Sequence, residues 1–251
     1  MKVEIWSDVV CPWCYIGKRH FEDALARFGH ADQVEVEWRS FELDPQSPAQ
    51  VDMPMSRILE RKYGMTREQA EAANDRMTDL AAGVGLVYHL DEVQVGNTFD
   101  AHRLIHLASA HGLGDTMKER LLAAYFTEGT SPSDHDTLTG LAVEVGLDRG
   151  EVAATLAGDG FATEVRRDEA RAASLGVSGV PFFVIDEAYG VSGAQPAEVL
   201  LGALEQAWSE SHPITMVGTT GTDTDDGDAA CADGARAVRT GRITPRAEPH
   251  P

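Results

Sequence analysis

Hydrophobic and polar residues follow different periods in different parts of this chain, and the change of period divides it into three stretches. Near the start, Val3–Trp6 is a short apolar-rich run and Val34–Phe41 alternates apolar and polar residues, so both are predicted to be strands. Between them, Tyr15–Phe28 has helical spacing, and Gly29 is its predicted end. The chain is therefore expected to open with a β-α-β unit.

The long middle stretch is predicted to be helical. A capping-box pattern starts at Thr66, and Asp115, Asp134 and Asp148 each precede a helical run as candidate N-caps. The predicted helices span residues 56–63, 66–82, 99–111, 116–126, 135–146, a run from 149, and 161–175.

The period of strands returns at Pro181–Asp186, and Tyr189–Ser192 follows closely, so the two runs are predicted to form a β-hairpin. Gln195-Pro196 opens a last helix that ends near Trp208, with proline at the first helical position. Two strand-rich ends around a helical stretch indicate an α/β protein whose single sheet is interrupted by an all-helical insertion.

Four regions follow from this pattern. Residues 1–50 and 176–210 are expected to form the two parts of one sheet domain, and residues 51–175 the helical insertion. Residues 211–251 contain no Phe, Trp, Tyr or Leu. Such a segment buries too little apolar surface to offset its ordering entropy, so we expect a disordered tail.

The charge and the cysteine count exclude several classes of protein. The formal net charge is −20, which argues against nucleic-acid and anionic-membrane partners. Three cysteines are too few for a secreted disulfide scaffold. Glu4 and Asp8 interrupt the apolar run that a signal peptide needs, and the default compartment is then the cytosol.

The strongest chemical motif is Cys11-Pro12-Trp13-Cys14, which lies between the first strand and the first helix. The first turn of a helix has free N–H groups and the positive end of the dipole, so we expect a lowered pKa for Cys11. Pro12 suits this turn because no hydrogen-bond donor is missed there. Cys14 lies about one turn further on, within reach of Cys11.

This motif has two other interpretations. A Cys-x-x-Cys pair can be half of a zinc site, but such a site needs two more ligands. The third cysteine, Cys231, lies in the predicted tail, and the spacing to His20 does not match a zinc finger. The pair can also be two buried core cysteines. Its position at a strand-to-helix turn favours a redox pair.

A second motif is the Val180-Pro181 step at the start of a predicted strand, after the glycine-containing loop from Gly176. A proline at a strand start is common and needs no function. The functional interpretation is a cis-proline loop that faces the Cys-x-x-Cys helix. The proline step alone is a weak signal for such a loop, but its combination with the Cys-x-x-Cys motif is a specific one.

Together these motifs resemble the DsbA family of thioredoxin-fold proteins, and more closely its FrnE-like cytosolic branch. The resemblance covers about residues 1–210. It rests on four blocks of sequence, which are Ser7–Lys18, Trp38–Pro45, Asn97–Ala108 and Gly176–Ile185.

The resemblance implies a thioredoxin-like fold with a large all-helical insertion and thiol–disulfide exchange as the activity. It implies that Cys11 is the attacking nucleophile, that Cys14 is the resolving thiol and that Trp13 tunes the potential. It also implies a cis peptide bond between Val180 and Pro181 whose backbone pairs with extended substrate. Related glutathione-dependent isomerases and kappa-class transferases typically lack this cysteine pair.

Some relatives in the FrnE-like branch carry a second cysteine pair of the form CxxxxC in the tail. Here Arg236 stands where the partner of Cys231 would fall. A disulfide relay through the tail is therefore not expected.

Three further candidates have weaker signals. Asp8 is a candidate proton acceptor for Cys14, a charge that opposes the thiolate, or a carboxylate that binds nearby backbone N–H groups. His102 and His106 have a spacing that can hold a metal, but the motif lacks a glutamate and we expect no metal. The loop Asp91–Gly96 is a candidate border of the active-site cleft.

We therefore predict a cytoplasmic thiol–disulfide oxidoreductase or isomerase without a bound cofactor. Its expected partners are protein or small-molecule thiols and disulfides, with glutathione as a candidate co-substrate, and we expect a monomer or homodimer. One alternative is a glutathione-dependent small-molecule isomerase or a kappa-class-transferase-like enzyme, for which Cys14 is dispensable. The other is a peptide-binding holdase, for which both cysteines are dispensable.

Overall fold

The structure is a computed structural model of the 251-residue chain, and it describes residues 1–213. Most of the predicted tail, with Cys231 and Arg236, lies outside the described residues. The last helix described by the structure ends at Ser211.

The sheet has four strands among the described residues, in the spatial order β2-β1-β3-β4. Strand β1 pairs with β2 in parallel and with β3 antiparallel, and β3 pairs antiparallel with β4. The strands are β1 (Lys2–Ser7), β2 (Glu35–Ser40), β3 (Phe182–Ile185) and β4 (Tyr189–Ser192). Both ends of the chain therefore contribute to one sheet, as the period of the sequence predicts.

Helix α1 follows β1, helices α2–α8 lie between β2 and β3, and α9 follows the hairpin. The helices are α1 (Pro12–Arg27), α2 (Met55–Tyr63), α3 (Arg67–Ala82), α4 (Phe99–Ala110), α5 (Gly114–Phe126), α6 (His135–Glu144), α7 (Arg149–Ala157), α8 (Ala162–Ser174) and α9 (Ala197–Ser211). This order confirms the prediction of an α/β sheet interrupted by helices.

Alternate residues of β1 point to opposite faces of the sheet, as they must in a strand. Ile5 lies in the main hydrophobic core, which includes Phe21 of α1 and Leu200 of α9. Trp6 lies on the other face, where it packs in a smaller cluster with Ala172 of α8. The sheet is thus covered by helices on both faces, which explains why β1 is buried almost throughout.

The inserted helices share this main core. Leu104 of α4, Met117 of α5 and Leu138 of α6 belong to the same cluster as Ile5 and Phe21. Removing the insertion would therefore expose the apolar side chains that the sheet and α1 present to it. The limits of the four regions remain a prediction.

Local sequence signals set the start of three helices. Thr66 forms the predicted capping box, and the carboxylates of Asp134 and Asp148 accept hydrogen bonds from the first turns of α6 and α7. These side chains satisfy N–H groups that have no partner within the helix.

The prediction that Asp115 is an N-cap residue is wrong. Helix α5 begins at Gly114, with Leu113 as its N-cap residue, so Asp115 lies inside the first turn. Its carboxylate instead accepts a 3.0 Å hydrogen bond from the indole N–H of Trp38. A contact with strand β2 thus determines the role of this residue.

Candidate active site

The start of α1 places the two cysteines. Cys11 is the N-cap residue with extended backbone angles, and Pro12 occupies the first helical turn. The backbone N–H of Cys14 donates to the carbonyl of Cys11 at 3.0 Å. Both cysteines are free and buried, whereas Trp13 between them is 43% exposed. The turn therefore brings two thiols together beneath one exposed aromatic ring.

The loop before β3 covers Cys11. The thiol of Cys11 donates to the carbonyl oxygen of Val180 at 3.4 Å. The peptide bond between Val180 and Pro181 is cis, as the resemblance implies. The Pro181 ring packs against Gly17, one turn beyond the cysteine pair. The structure thus brings together the two motifs that the sequence places 170 residues apart.

The ionisation of each thiol depends on the other. A hydrogen bond with Cys14, together with burial, raises the pKa of Cys11 well above its usual value. Burial disfavours ionisation of Cys14, but the hydrogen bond from Cys11 and the charge of Lys118 outweigh it and lower the pKa of Cys14. The predicted lowering of the Cys11 pKa is therefore wrong for the reduced pair, because the hydrogen bond with Cys14 and burial both raise it.

Asp8 is buried at the end of β1 and is fully hydrogen-bonded. One oxygen accepts from the backbone N–H of Val9 at 2.7 Å and lies 3.2 Å from Nε2 of His102. The other accepts from the backbone N–H of Leu43 at 2.8 Å. Burial raises the pKa of Asp8, but these hydrogen bonds outweigh it and hold the pKa below its usual value. Asp8 therefore joins the strand end, helix α4 and the segment after β2.

The two candidate metal ligands on α4 contact different carboxylates. His102 contacts Asp8, and burial lowers the pKa of its imidazole. His106 lies 3.1 Å from the carboxylate of Asp168 on α8. Within residues 1–213, no three side chains of His, Cys, Asp or Glu are grouped so that they could hold a metal ion.

Sequence reasoning missed Lys118 on α5, which is 1% exposed. Its ammonium donates to the carbonyl of Ser7 at 3.2 Å and lies 5.5 Å from the ring of Trp38. Burial lowers the pKa of Lys118 to about 8. The signal was present, because Lys118 shares a helical stripe with the buried Leu121 and Leu122.

The border of the site also differs from the prediction. The hydroxyl of Tyr88, in the segment after α3, donates to the carbonyl of Pro12 at 2.8 Å. The predicted loop Asp91–Gly96 instead contacts the segment after β2, where the N–H of Val51 donates to the carbonyl of Val95. The contact with the motif thus lies three residues before the loop that the sequence indicated.

Three apolar side chains are exposed on the segments that meet at the motif. Trp13 belongs to the motif itself, Val87 precedes the tyrosine that contacts it, and Leu43 follows β2. Their exposed fractions lie between 42% and 56%. Large apolar side chains left in solvent suit a surface that binds other molecules.

Comparison with known proteins decides the family. The family model described as a DSBA-like thioredoxin domain matches residues 2–205. The chain belongs to this family. Its sheet and inserted helices are therefore those of a DsbA-like thioredoxin fold, which confirms the predicted fold class.

Two relatives of this DsbA-like chain resemble it over nearly its whole described length. The crystal structure of a probable DsbA oxidoreductase, SCO1869 from Streptomyces coelicolor, is 50% identical and has a TM-score of 0.81. That match covers 86% of this chain and 94% of SCO1869. The uncharacterized protein YwbO of Bacillus subtilis is 29% identical over 205 residues, which are 80% of this chain and 94% of YwbO.

A more distant structure shares only the fold. The cytosolic disulfide reductase DsbM from Pseudomonas aeruginosa, solved with GSH, is 16% identical and has a TM-score of 0.57. The match covers 84% of this chain and 97% of DsbM. In the described part of this DsbA-like chain, no helix combines the length and apolar character needed to cross a membrane.

Proposed function

We propose that this protein is a thiol–disulfide oxidoreductase that works through Cys11 and Cys14. The observation that carries the proposal is the contact of two free thiols at the N-terminus of α1, with Cys11 against the carbonyl of Val180. Two thiols in contact can form one disulfide and return to two thiols without a large change in the backbone.

In the first step, a thiolate at Cys11 attacks one sulfur of a substrate disulfide. The Cys11–substrate bond forms, the substrate disulfide breaks, and one substrate thiolate leaves and takes a proton. Cys11 is ionised in this step when the proton shared within the pair lies on Cys14. Cys11 is the attacking residue because it is the N-cap residue, next to exposed Trp13.

In the second step, Cys14 attacks the sulfur of Cys11. The Cys11–Cys14 disulfide forms and the second substrate thiolate leaves, so the pair loses two electrons and the substrate gains two. A substrate thiol that attacks the oxidised pair runs the same steps in reverse. The reduction potential and the surroundings set the direction.

Substrate would lie along the Val180–Pro181 loop. The carbonyl of Val180 is available to an extended backbone when the Cys11 thiol releases it. The exposed side chains of Trp13, Leu43 and Val87 would supply apolar contacts. The proposed substrates are therefore extended peptides or small thiols that carry an apolar group.

The proposal also covers the setting of the reaction. It places the protein in the cytosol and in the FrnE-like branch, with glutathione as the small thiol partner and no bound cofactor. The support is the cysteine usage of the sequence and the four blocks of sequence that carry the resemblance.

A redox titration against glutathione, read by thiol alkylation and intact mass, is the first test. We expect one two-electron transition between Cys11 and Cys14 at roughly −120 to −300 mV. A protein that forms no reversible disulfide, or binds glutathione without exchange, would contradict the proposal and support the isomerase alternative.

Trapping of the mixed disulfide is the second test. Cys14→Ala in a Cys231→Ser background should accumulate adducts at Cys11, because the second step is blocked. The matched control is Cys11→Ala in the same background, which should accumulate none. An activity that persists when both cysteines are replaced would support the holdase alternative.

A further inference from the structure

Tyr88 contacts the cysteine motif through its hydroxyl, and the proposed two-step exchange gives this contact no role. The hydroxyl donates to the carbonyl of Pro12 at 2.8 Å, across 76 positions of the sequence. A carbonyl oxygen can only accept, so the phenol is the donor. Tyr88 is 3% exposed. A buried phenol therefore donates to one of the two residues that separate the cysteines.

The segment that carries Tyr88 is held on both sides by the end of α5. The N–H of His89 donates to the carbonyl of Phe126 at 2.7 Å. The hydroxyl of Thr127 donates to the carbonyl of Val87 at 2.6 Å. The Tyr88 ring also stacks on the ring of Phe126, with centroids 4.5 Å apart and planes 21° apart. These contacts fix the Tyr88 hydroxyl against the first turn of α1.

The carbonyl that Tyr88 binds belongs to the same peptide group as the N–H of Trp13. Hydrogen bonds in a chain polarise one another, so donation to this carbonyl makes the N–H a stronger donor. Trp13 is the second residue of α1, and Cys11 is its N-cap residue. An N-cap side chain accepts from the N–H of the second or third helical residue. The N–H of Trp13 is therefore in position for an acceptor on Cys11.

Cys11 becomes such an acceptor when it ionises. In the reduced form its thiol donates to the carbonyl of Val180 at 3.4 Å, and it makes no cap hydrogen bond within residues 1–213. A thiolate has no proton to donate, and a hydrogen bond to an ionised acceptor is stronger than one to a neutral acceptor. The polarised N–H of Trp13 should therefore stabilise the thiolate more than the thiol.

We propose that Tyr88 is a positioning residue that stabilises the Cys11 thiolate through the Pro12–Trp13 peptide group. This inference rests on the proposed function, in which that thiolate attacks the substrate disulfide. It gives the segment between α3 and α4 a part in the reactivity of the motif. Tyr88 keeps its own proton, because burial raises its pKa and the charge of Cys11 adds to that effect.

The test measures the ionisation of Cys11 in the full chain with Cys14→Ala and Cys231→Ser, which leaves Cys11 as the single thiol. Iodoacetamide forms a thioether with the Cys11 sulfur and loses iodide, and the thiolate is the reacting form. The rate constant is followed by intact mass from about pH 4 to 10. Its midpoint gives the apparent pKa of Cys11, and its upper plateau gives the reactivity of the fully ionised thiol.

Tyr88→Phe removes the hydroxyl and keeps the ring. We expect the acid dissociation constant of Cys11 to fall about threefold, which is at the lower end of what one hydrogen bond contributes. The midpoint should therefore rise by about half a pH unit. The plateau should change less than about twofold, because Cys11 is fully ionised there in both proteins.

Tyr15→Phe is the matched control. Tyr15 belongs to the same aromatic cluster and is 4% exposed, but its hydroxyl donates to Glu119 at 2.6 Å. This variant should keep the parental midpoint. The other titratable groups that face Cys11 in this background are Asp8 after β1 and Lys118 on α5, and neither variant replaces them.

An unchanged or lower midpoint in Tyr88→Phe, or an equal rise in Tyr15→Phe, would overturn the inference. A lower plateau with the parental midpoint would reduce Tyr88 to a packing role and overturn it as well. The glutathione titration tests the proposed function separately. A parent protein that forms no reversible Cys11–Cys14 disulfide would contradict that function, whatever the midpoints of the single-thiol variants.

Discussion

Gly17 lies one turn beyond the cysteine pair on α1, and its lack of a side chain sets how closely the helix approaches the loop before β3. A Cβ atom at this position would lie 2.8 Å from Cγ of Pro181 and 3.4 Å from Cβ of Ala194. The first distance is shorter than real Cβ contacts, so any side chain here must move the proline. Glycine at this position therefore fixes the separation of Cys11 from the loop that covers it.

We expect Gly17→Ala to slow mixed-disulfide formation at Cys11 by about tenfold, because small displacements of reacting groups are costly. Overpacking should also lower the free energy of unfolding by about 1–3 kcal/mol. Stopped-flow thiol release and urea unfolding measure the two effects.

Gly202 on α9 is the matched control, because a Cβ there meets nothing within 4 Å. Gly202→Ala should stabilise the protein by about 0.5–1 kcal/mol, as expected for a helix interior, and leave exchange unchanged. Parental exchange kinetics in Gly17→Ala would show that the distance between α1 and the loop does not matter.

At the scale of residues, sequence predicts the parts of the site that have a local signature. The Cys11–Cys14 motif consists of neighbouring residues in the chain, and so does the Val180-Pro181 step. The residues packed around the motif are not neighbours in the chain, because tertiary folding brings Lys118 to Ser7 and His102 to Asp8 from two other helices. The hydrogen bond with Cys14 and burial, which both depend on the folded structure, are why the predicted lowering of the Cys11 pKa was wrong.

At the scale of elements, the segment after β2 is attached to α8 through a buried carboxylate. Glu42 accepts from Arg166 of α8 at 2.5 Å and from the side chain of Asn97 at 3.3 Å. Arg166 also bonds Glu169, whose charge faces Glu42. Burial is the largest cause that raises the pKa of Glu42 to about 6, and Glu169 adds to it.

The raised pKa predicts a pH-dependent stability. The folded state binds the Glu42 proton more tightly than the unfolded state does, so this stabilisation is full below about pH 4.5 and is lost as pH rises through 6. The loss is on the order of 1–2 kcal/mol. Glu42→Gln removes the titration, so its stability relative to the parent should increase between pH 4.5 and 7.

Urea unfolding at four pH values across this range measures the difference. The exposed Glu205 on α9 provides the control, since Glu205→Gln removes a carboxylate that lies in solvent. A difference between Glu42→Gln and the parent that does not change with pH would mean that Glu42 is charged throughout the range.

The helices themselves were largely predictable, because Thr66, Asp134 and Asp148 act on the chain next to them. Asp115 is also an aspartate near a helix start, yet its carboxylate binds Trp38 and does not cap the helix. Because Trp38 is distant in the chain, the sequence around Asp115 does not indicate this contact. The common core of sheet and insertion was likewise beyond prediction, since a hydrophobic stripe does not specify its partner.

At the scale of the whole molecule, the net charge of −20 should act on substrates before they reach the site. An acidic surface attracts cations over a distance that falls with salt, to about 10 Å at 0.1 M. Substrate charge should therefore affect the rate of association.

We expect a disulfide peptide with lysines to be reduced at least tenfold faster than its glutamate counterpart at 20 mM salt, consistent with electrostatic steering. The ratio should fall towards one at 500 mM salt. The second-order rate constants for the two peptides test this expectation. A ratio that is independent of salt would place the preference in local contacts instead.

The position of β1 within the sheet has a consequence for synthesis on the ribosome. Val3 pairs with Val36 on one side but with Ile185 on the other, so one edge of β1 has no partner until most of the chain has been made. At roughly 5–20 residues per second, that interval is on the order of ten seconds or more. During it, the nascent chain presents an unpaired strand edge and two adjacent thiols that the loop before β3 does not yet cover. A protein built to exchange disulfides is thus itself exposed to oxidation and aggregation while it is being made.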